Sequence, residues 1–323
     1  MNQAILDAPV KVARPAYRPY RASVVRLTQM APHFMRVTFT GPEFDSFGTD
    51  GLDQRIKIMF PIDGHGISDI GADDPETIAD GTWYSRWRAL PDALRNPFRT
   101  YTIRAVRPEA REVDVDMVSH GDGDPENSGP ASRWLNRATA GDEVVIVGPD
   151  AGSIDSAIGI DWHPGAATQL LLAGDETAAP AICAVLESLP HGRRAQAFIE
   201  VPDAADRLPI DLPSGCSVTW LHRGDNPVGT HLDPAVRGWV ADNLAVIRPA
   251  LAASAQQLED VDVDLELLWD SPEEVTDGHF YAWLAGEASA IKLLRRFLVS
   301  ETGIDRKRVA FMGYWRAGRA EAQ

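Results

Sequence analysis

The run Arg99-Thr100-Tyr101-Thr102-Ile103-Arg104 concentrates hydrogen-bonding and charged groups in a β-prone stretch. Strand alternation puts Arg99 and Tyr101 on one face and Thr100, Thr102 and Arg104 on the other. The Arg99 guanidinium can clasp a diphosphate with two parallel hydrogen bonds. Tyr101 can pack against a ribityl chain or a ring. The backbone and hydroxyl of Thr102 can hydrogen-bond a flavin ring nitrogen where the strand's edge faces it, and Arg104 can reach the same molecule from the far end. An exposed strand of alternating polar residues would read the same way, so this run needs support from elsewhere in the chain.

Two further segments supply it. His120-Gly121 is followed, after an acidic loop, by Gly129-Pro130-Ala131-Ser132-Arg133-Trp134. Small residues opening a helix leave backbone N–H groups free and let a phosphate approach closely, with the Ser132 hydroxyl as an extra donor. His120, alone at a strand end, can equally be structural. In the second half, Ala173-Gly174-Asp175-Glu176-Thr177 follows an apolar strand and opens a helix, where a dinucleotide-binding domain places its phosphate turn. The motif is not GxGxxG. Ala285-Gly286-Glu287-Ala288-Ser289 repeats the arrangement, and two such turns at the carboxyl ends of parallel strands would face one crevice. Arg223, after another apolar run, could select a 2′-phosphate there.

The elements that must hold these residues fall into two sets. A lead-in over 1–18 contains Pro9 and Pro15, and Pro19 follows it. Residues 19–152 form a first domain, with strands expected over 22–27, 35–40, 55–60, 99–106, 112–118 and 143–147 and one short helix over 129–138. Six strands with turn residues between them predict a closed antiparallel barrel. A linker over 153–168 leads to a second domain, 169–323. There, apolar runs at 170–173, 195–201, 217–222, 280–285 and 308–314 alternate with helices at 177–189 and 287–301, predicting a parallel sheet covered on both faces. Gly303 is placed to end the last helix.

Composition narrows the function. The 323 residues carry a net charge of −16, so nucleic acid is excluded as a partner and an anionic substrate would need a local basic patch. Cys183 and Cys216 lie too far apart for a CxxC pair, and two thiolates are too few for an all-cysteine iron–sulfur cluster. Free thiols and the lack of an apolar run long enough to span a bilayer predict a cytoplasmic chain without membrane insertion. Acidic runs at 69–80 and 259–266 read as solvated faces, and no protein-held metal is expected. GxSxG, HExxH and Walker A patterns are absent.

From about Tyr20 to Gly318 the sequence resembles the siderophore-interacting protein family of FAD-dependent ferric-siderophore reductases, within the ferredoxin–NADP reductase-like superfamily. The resemblance is carried by Arg55-Ile56-Lys57-Ile58-Met59-Phe60-Pro61, by the 99–104 run, by His120-Gly121-Asp122-Gly123 with 129–134, and by Ala285-Gly286-Glu287-Ala288-Ser289 with Gly313-Tyr314-Trp315-Arg316-Ala317-Gly318. It implies a six-stranded Greek-key FAD-binding barrel and an NAD(P)H-binding α/β domain, in a monomer. It also implies FAD contacts at Arg99, Thr100, Tyr101, Thr102 and Arg104, at Asp116, Val118 and His120, and at Gly129, Ala131, Ser132 and Trp315. Nicotinamide contacts are implied at Gly174, Asp175, Glu176, Thr177 and Arg223, and at Gly286, Glu287, Ala288 and Tyr314. Tyr314 or Trp315 would shield the flavin ring.

Lys57 matches a family lysine that helps hold the ferric siderophore near the flavin, with Thr102 beside flavin N5. Only four lysines occur in the chain. Lys57 and the loop arginines Arg86, Arg88 and Arg95 would form the basic patch. The stretch 224–277 is long and acidic and does not align with the family's nicotinamide contacts, so NADPH, NADH and reduced ferredoxin all stay open as donors. The implied activity is NAD(P)H-driven reduction of Fe(III)-siderophore with release of Fe(II). The alternatives are a general flavin or quinone reductase on the same scaffold, or a siderophore-binding carrier without turnover.

Overall fold

The computed structural model describes residues 10–48, 50–119, 129–259, 261–263, 266–272 and 278–318. Its first half contains β1 (Tyr17–Ala31), β2 (Phe34–Thr40), β3 (Arg55–Met59), β4 (Phe98–Thr102), β5 (Ala105–Arg107), β6 (Glu112–Val118) and β7 (Glu143–Pro149). They form one antiparallel sheet in the order β4-β3-β7-β1-β2-β6-β5. Alternate residues, among them Val37, Phe39, Ile56, Ile58, Val113, Val115, Val144 and Ile146, point inward to a shared core.

Seven strands stand where six were expected, because the run 99–106 divides. The Ile103 N–H donates to Gln54 O on the β3 side (3.0 Å), and the next N–H, of Arg104, donates to Asp114 O on β6 (2.9 Å). Successive N–H groups of an extended chain point in opposite directions, so one continuous segment supplies both outer strands of the sheet.

The lead-in also differs from expectation. The Val12 N–H donates to Gly152 O (2.8 Å), the Ile154 N–H donates to Val12 O (3.0 Å), and Arg14 pairs with Asp150. β1 begins at Tyr17, with Pro19 opposite Val147 on β7. β1 meets β2 only from Ser23 onward, so Pro19 lies where the strand has one neighbour and its missing donor is tolerated. The loop between β3 and β4 carries α1 (Pro75–Asp80) and α2 (Trp83–Ala89). Asp74 caps α1 by accepting from the Glu76 N–H, and Trp87 of α2 packs on Phe98 with ring centroids 4.7 Å apart. The helix expected over 129–138 is the shorter α3 (Pro130–Leu135).

The second half contains β8 (Gln169–Asp175), α4 (Ala179–Glu187), β9 (Arg194–Val201), β10 (Cys216–His222), α5 (Leu232–Asp242), α6 (Leu244–Ile247), β11 (Trp269–Asp270), β12 (Phe280–Glu287), α7 (Ala288–Arg295) and β13 (Val309–Trp315). The order is β10-β9-β8-β12-β13-β11. β8, β9, β10, β12 and β13 are mutually parallel, but β11 runs antiparallel to β13, so the sheet is mixed rather than wholly parallel. Two short helices and β11 occupy the acidic stretch that the sequence left unassigned. α7 continues as a π-helical turn, Arg296–Glu301, before Gly303 takes a positive φ of 85°. The strand order reverses between β8 and β12, and their carboxyl ends carry the two glycine turns.

The two halves share a core: Ala31 and Phe34 from the first pack with Trp162, Leu170 and Trp283 of the second. Among the described residues no helix is long and apolar enough to cross a membrane, and no group of His, Cys, Asp and Glu could hold a metal ion.

Candidate functional site

The outer edge of the first sheet is formed by β4. The Phe60 N–H donates to Pro97 O (2.9 Å) and the Ile103 N–H to Gln54 O (3.0 Å), so the odd-numbered residues of β4 bond toward β3. The backbone groups of Thr100 and Thr102 therefore point the other way, along the outer edge. Arg99 is half-buried, Tyr101 packs partly into the core, and Thr102 is buried. α3 packs against β4, Ala131 shares a core with Tyr101, and a Cβ on Gly129 just before the helix would meet open space. Backbone donors and acceptors, hydroxyls and a guanidinium on one strand packed against a helix are the groups that a ring with an alternating donor–acceptor edge and a diphosphate requires. FAD fits this donor set. His120 lies outside the described residues.

Lys57 sits opposite Thr100 on β3, with Nζ 3.4 Å from Thr100 Oγ1 and 4.8 Å from the centre of the Phe98 ring. The expected basic patch is reduced in the fold. Arg86 pairs with Asp74 (2.5 Å), and Arg95 pairs with Asp92 (3.0 Å) while donating to the carbonyls of Arg88 and Leu90. Arg88 stays exposed, 6.0 Å from the Tyr84 ring centre.

Three residues expected at the flavin have partners within the protein. Arg104 meets Glu187 of α4 through both terminal nitrogens (2.7 and 2.8 Å), tying the first domain to the second. Asp116 is buried in a two-point pair with Arg36 (2.7 and 2.8 Å). Val118 packs into the core shared by the two halves. For Arg104 that partner lies on α4 and is invisible to strand alternation.

Of the nine expected nicotinamide contacts, seven lie at the carboxyl ends of β8 and β12, Arg223 reaches Glu176 from the end of β10, and Tyr314 lies apart; those at the crevice largely bind one another. Asp175 is buried and accepts from the Thr177 N–H (2.9 Å), Thr177 Oγ1 (2.5 Å), the Glu287 N–H (2.6 Å) and Trp315 Nε1 (2.8 Å). Burial, and then the neighbouring Glu176 carboxylate, push it up to about 7. Glu287 caps α7 by accepting from the Ser289 and Ala290 N–H groups, with Ala288 nearly buried between. A Cβ on Gly174 would strike Ala285 O at 2.4 Å, and one on Gly286 would lie 2.6 Å from the Asp175 carboxylate. These glycines therefore allow the close approach of neighbouring protein atoms. Arg223 faces Glu176 in a two-point ion pair at 2.6 Å, so the expected 2′-phosphate selector is already held by a carboxylate.

Beyond this crevice, aromatic rings of the second half pack with Arg55 of the first. Tyr314 stacks on Trp269 (5.8 Å) and lies edge-on to Trp283 (6.2 Å). The Arg55 guanidinium covers the other ring, 4.2 Å from the centre of Trp269. The Tyr314 hydroxyl is buried with no hydrogen-bond partner among the described residues, and burial raises it well above the usual tyrosine value.

Two carboxylates that organise this region escaped the sequence reading. Asp53 accepts from the Asp161 and Trp162 N–H groups and from Trp283 Nε1 (2.9 Å), and burial with the nearby Asp161 pushes it up to about 6. Nothing local marks it, since all its donors come from the second half. Glu200 ends β9 and accepts from the N–H groups of Gly229 (2.6 Å), His231 (2.7 Å) and Leu232 (3.0 Å) at the start of α5. An acid at the carboxyl end of an apolar strand was the available signal.

Comparison with known proteins agrees with the two-part architecture. Residues 167–318 match the family profile described as siderophore-interacting protein, and residues 23–153 match the siderophore-interacting FAD-binding domain. An uncharacterised protein of Mycobacterium tuberculosis is 34% identical over 95% of this chain and 93% of its own length. The ferric vibriobactin reductase of Vibrio cholerae is 28% identical over 94% of this chain and 91% of its own. The crystal structure of the siderophore-interacting protein SipS from Aeromonas hydrophila superposes with a TM-score of 0.63, at 28% identity over 95% of each chain. The pairing of an antiparallel half-barrel with a mixed α/β sheet is the ferredoxin–NADP reductase-like fold.

Proposed function

The chain belongs to the siderophore-interacting protein family, and from that premise we propose that it is an FAD-dependent oxidoreductase that passes electrons from a nicotinamide dinucleotide to a ferric siderophore, releasing Fe(II). The observation that carries this reading is the β4 edge. Thr100 and Thr102 aim their backbone outward, Arg99 lies beside them, α3 packs against the strand, and Lys57 stands on the adjacent strand. FAD bound there supplies the conversion of a two-electron donor into one-electron steps.

The chain's own residues orient and bind. Arg99 and the start of α3 hold the diphosphate, and the Thr100 and Thr102 edge fixes the ring by hydrogen bonds. The Lys57 ammonium, with Arg88 on the loop above, attracts an anionic chelate against the net charge of −16. The aromatic rings of Trp269, Trp283 and Tyr314 exclude water from the cleft between the domains. The ferric ion is substrate, carried by its chelator, so ligands from the protein are unnecessary. Outer-sphere transfer tolerates a broad, shallow seat of this kind. The free thiols of Cys183 and Cys216 support a cytoplasmic, reducing setting.

The test is spectroscopic. Purified protein should bind FAD one to one. Its flavin band should bleach with NADH or NADPH under anaerobic conditions and return on addition of a ferric siderophore, with Fe(II) trapped by a colorimetric chelator. Tight chelate binding without flavin would identify a carrier instead. Re-oxidation by quinones but not by ferric chelates would identify a general reductase.

A further inference from the structure

We propose that the crevice between β8 and β12 selects a dinucleotide without a 2′-phosphate, NADH over NADPH, and that Glu176 is the positioning residue for this choice. The inference rests on the nicotinamide donor proposed above. It starts from the two-point ion pair between Glu176 and Arg223, both contacts at 2.6 Å, with the Glu176 side chain 1% exposed and that of Arg223 11% exposed. Arg223 follows β10 and Glu176 follows β8, so the pair spans the carboxyl end of β9, over which the adenosine half of a dinucleotide lies in such sheets. A 2′-phosphate seeking Arg223 must displace a buried carboxylate and leave it unpaired. A ribose hydroxyl makes no such demand.

The surroundings act in the same direction. Asp175, Glu176, Glu200 and Glu287 all lie at the carboxyl edge of β8, β9 and β12, and each accepts hydrogen bonds from the protein itself. Facing them, Arg223 is held by Glu176, while Arg316 donates to Ser289 Oγ and lies 3.8 Å from Glu287. Set against two guanidinium groups, Glu176, Glu200 and Glu287, with Asp175 adding charge only when ionised, make this edge unfavourable for additional negative charge. NADPH brings a dianionic group that NADH lacks, and juxtaposed like charges are strongly disfavoured in a partly closed site.

The experiment compares NADH and NADPH in anaerobic flavin bleaching by the wild-type holoenzyme and by the Glu176→Gln and Glu176→Asp variants. The wild type should favour NADH in kcat/KM by about tenfold or more, the factor that ~1.4 kcal/mol represents. Glu176→Gln, which releases the Arg223 charge, should lower KM for NADPH with little change in kcat and shrink that ratio several-fold. Glu176→Asp, which keeps the charge, should retain the preference. A merely structural role would lower both reactions together and leave the ratio fixed, overturning the assignment. Equal or better use of NADPH by the wild type would also overturn it. If Glu176→Gln fails to fold, wild-type enzyme still decides: shortening the Debye length from about 30 Å to about 8 Å with salt should lower KM for NADPH more than for NADH, and parallel responses would refute the proposal. Failure of both nucleotides to bleach the flavin would instead overturn the donor reading itself.

Discussion

Lys57 and Thr100 face each other across β3 and β4, the lysine ammonium 3.4 Å from the threonine hydroxyl and poised over the Phe98 ring. The strand pairing thus sets a cation beside the edge that presents the Thr100 and Thr102 backbone. Loss of one charge-assisted contact to an anionic chelate is worth about 1.5–3 kcal/mol, or roughly ten- to a hundredfold in rate. Lys57→Ala should reduce ferric-siderophore turnover by that factor while flavin content and ferricyanide reduction stay near wild type. Equal losses with both acceptors would remove Lys57 from the substrate seat.

Arg99 is the test of cofactor retention. Arg99→Ala should purify largely colourless and require added FAD for activity, because a two-point guanidinium–diphosphate contact cannot be replaced by a methyl group. Absorbance at the flavin band relative to that at 280 nm measures it directly, and a fully yellow variant would contradict the assignment.

Arg104, by contrast, should behave as a strut between domains. It ties the β4–β5 junction to Glu187 on α4 and approaches Asp116 at 3.6 Å. Arg104→Ala leaves these carboxylates short of a partner and should cost on the order of 1–3 kcal/mol, read as a lower thermal midpoint. Its affinity for FAD, measured by titration of the folded apoprotein, should stay close to wild type. A selective loss of FAD binding at unchanged stability would return Arg104 to the cofactor site.

Asp53 makes a prediction about pH. Its ordinary value is 3.8 and burial raises it to about 6. The folded protein therefore keeps a proton that the unfolded chain releases, and the associated stability is present in full below about 4 and is lost as pH rises through 6. Asp175, raised to about 7, acts in the same sense over a window that extends higher. Asp53→Asn should flatten the decline of the thermal midpoint between pH 4 and 6 and leave the Asp175 contribution in place. An unchanged slope would show that Asp53 ionises normally in the folded protein.

The chain order of the elements was legible wherever local patterning carries the information. Apolar runs became β8, β9, β12 and β13, and polar alternation became the strands of the first sheet, because strand geometry imposes those periods one residue at a time. The glycine turns at Gly174 and Gly286 were likewise visible, and they do meet at one crevice. The helices α1, α2 and α5 went unread, since each is short or lies in acidic sequence and depends on packing for its stability.

What the linear order of residues left open was the partner of each polar side chain. Sequence assigned Arg104 and Asp116 to the flavin and Glu176 and Arg223 to the dinucleotide crevice, yet could not say that Arg104 would meet Glu187 or that Glu176 would hold Arg223. A strand's periodicity reports which face a side chain takes, whereas a buried charge is satisfied by whichever group the docking of two domains brings within about 3 Å. Asp53 is the extreme case: its donors are Asp161, Trp162 and Trp283, so only closure of the two halves on each other gives it a role.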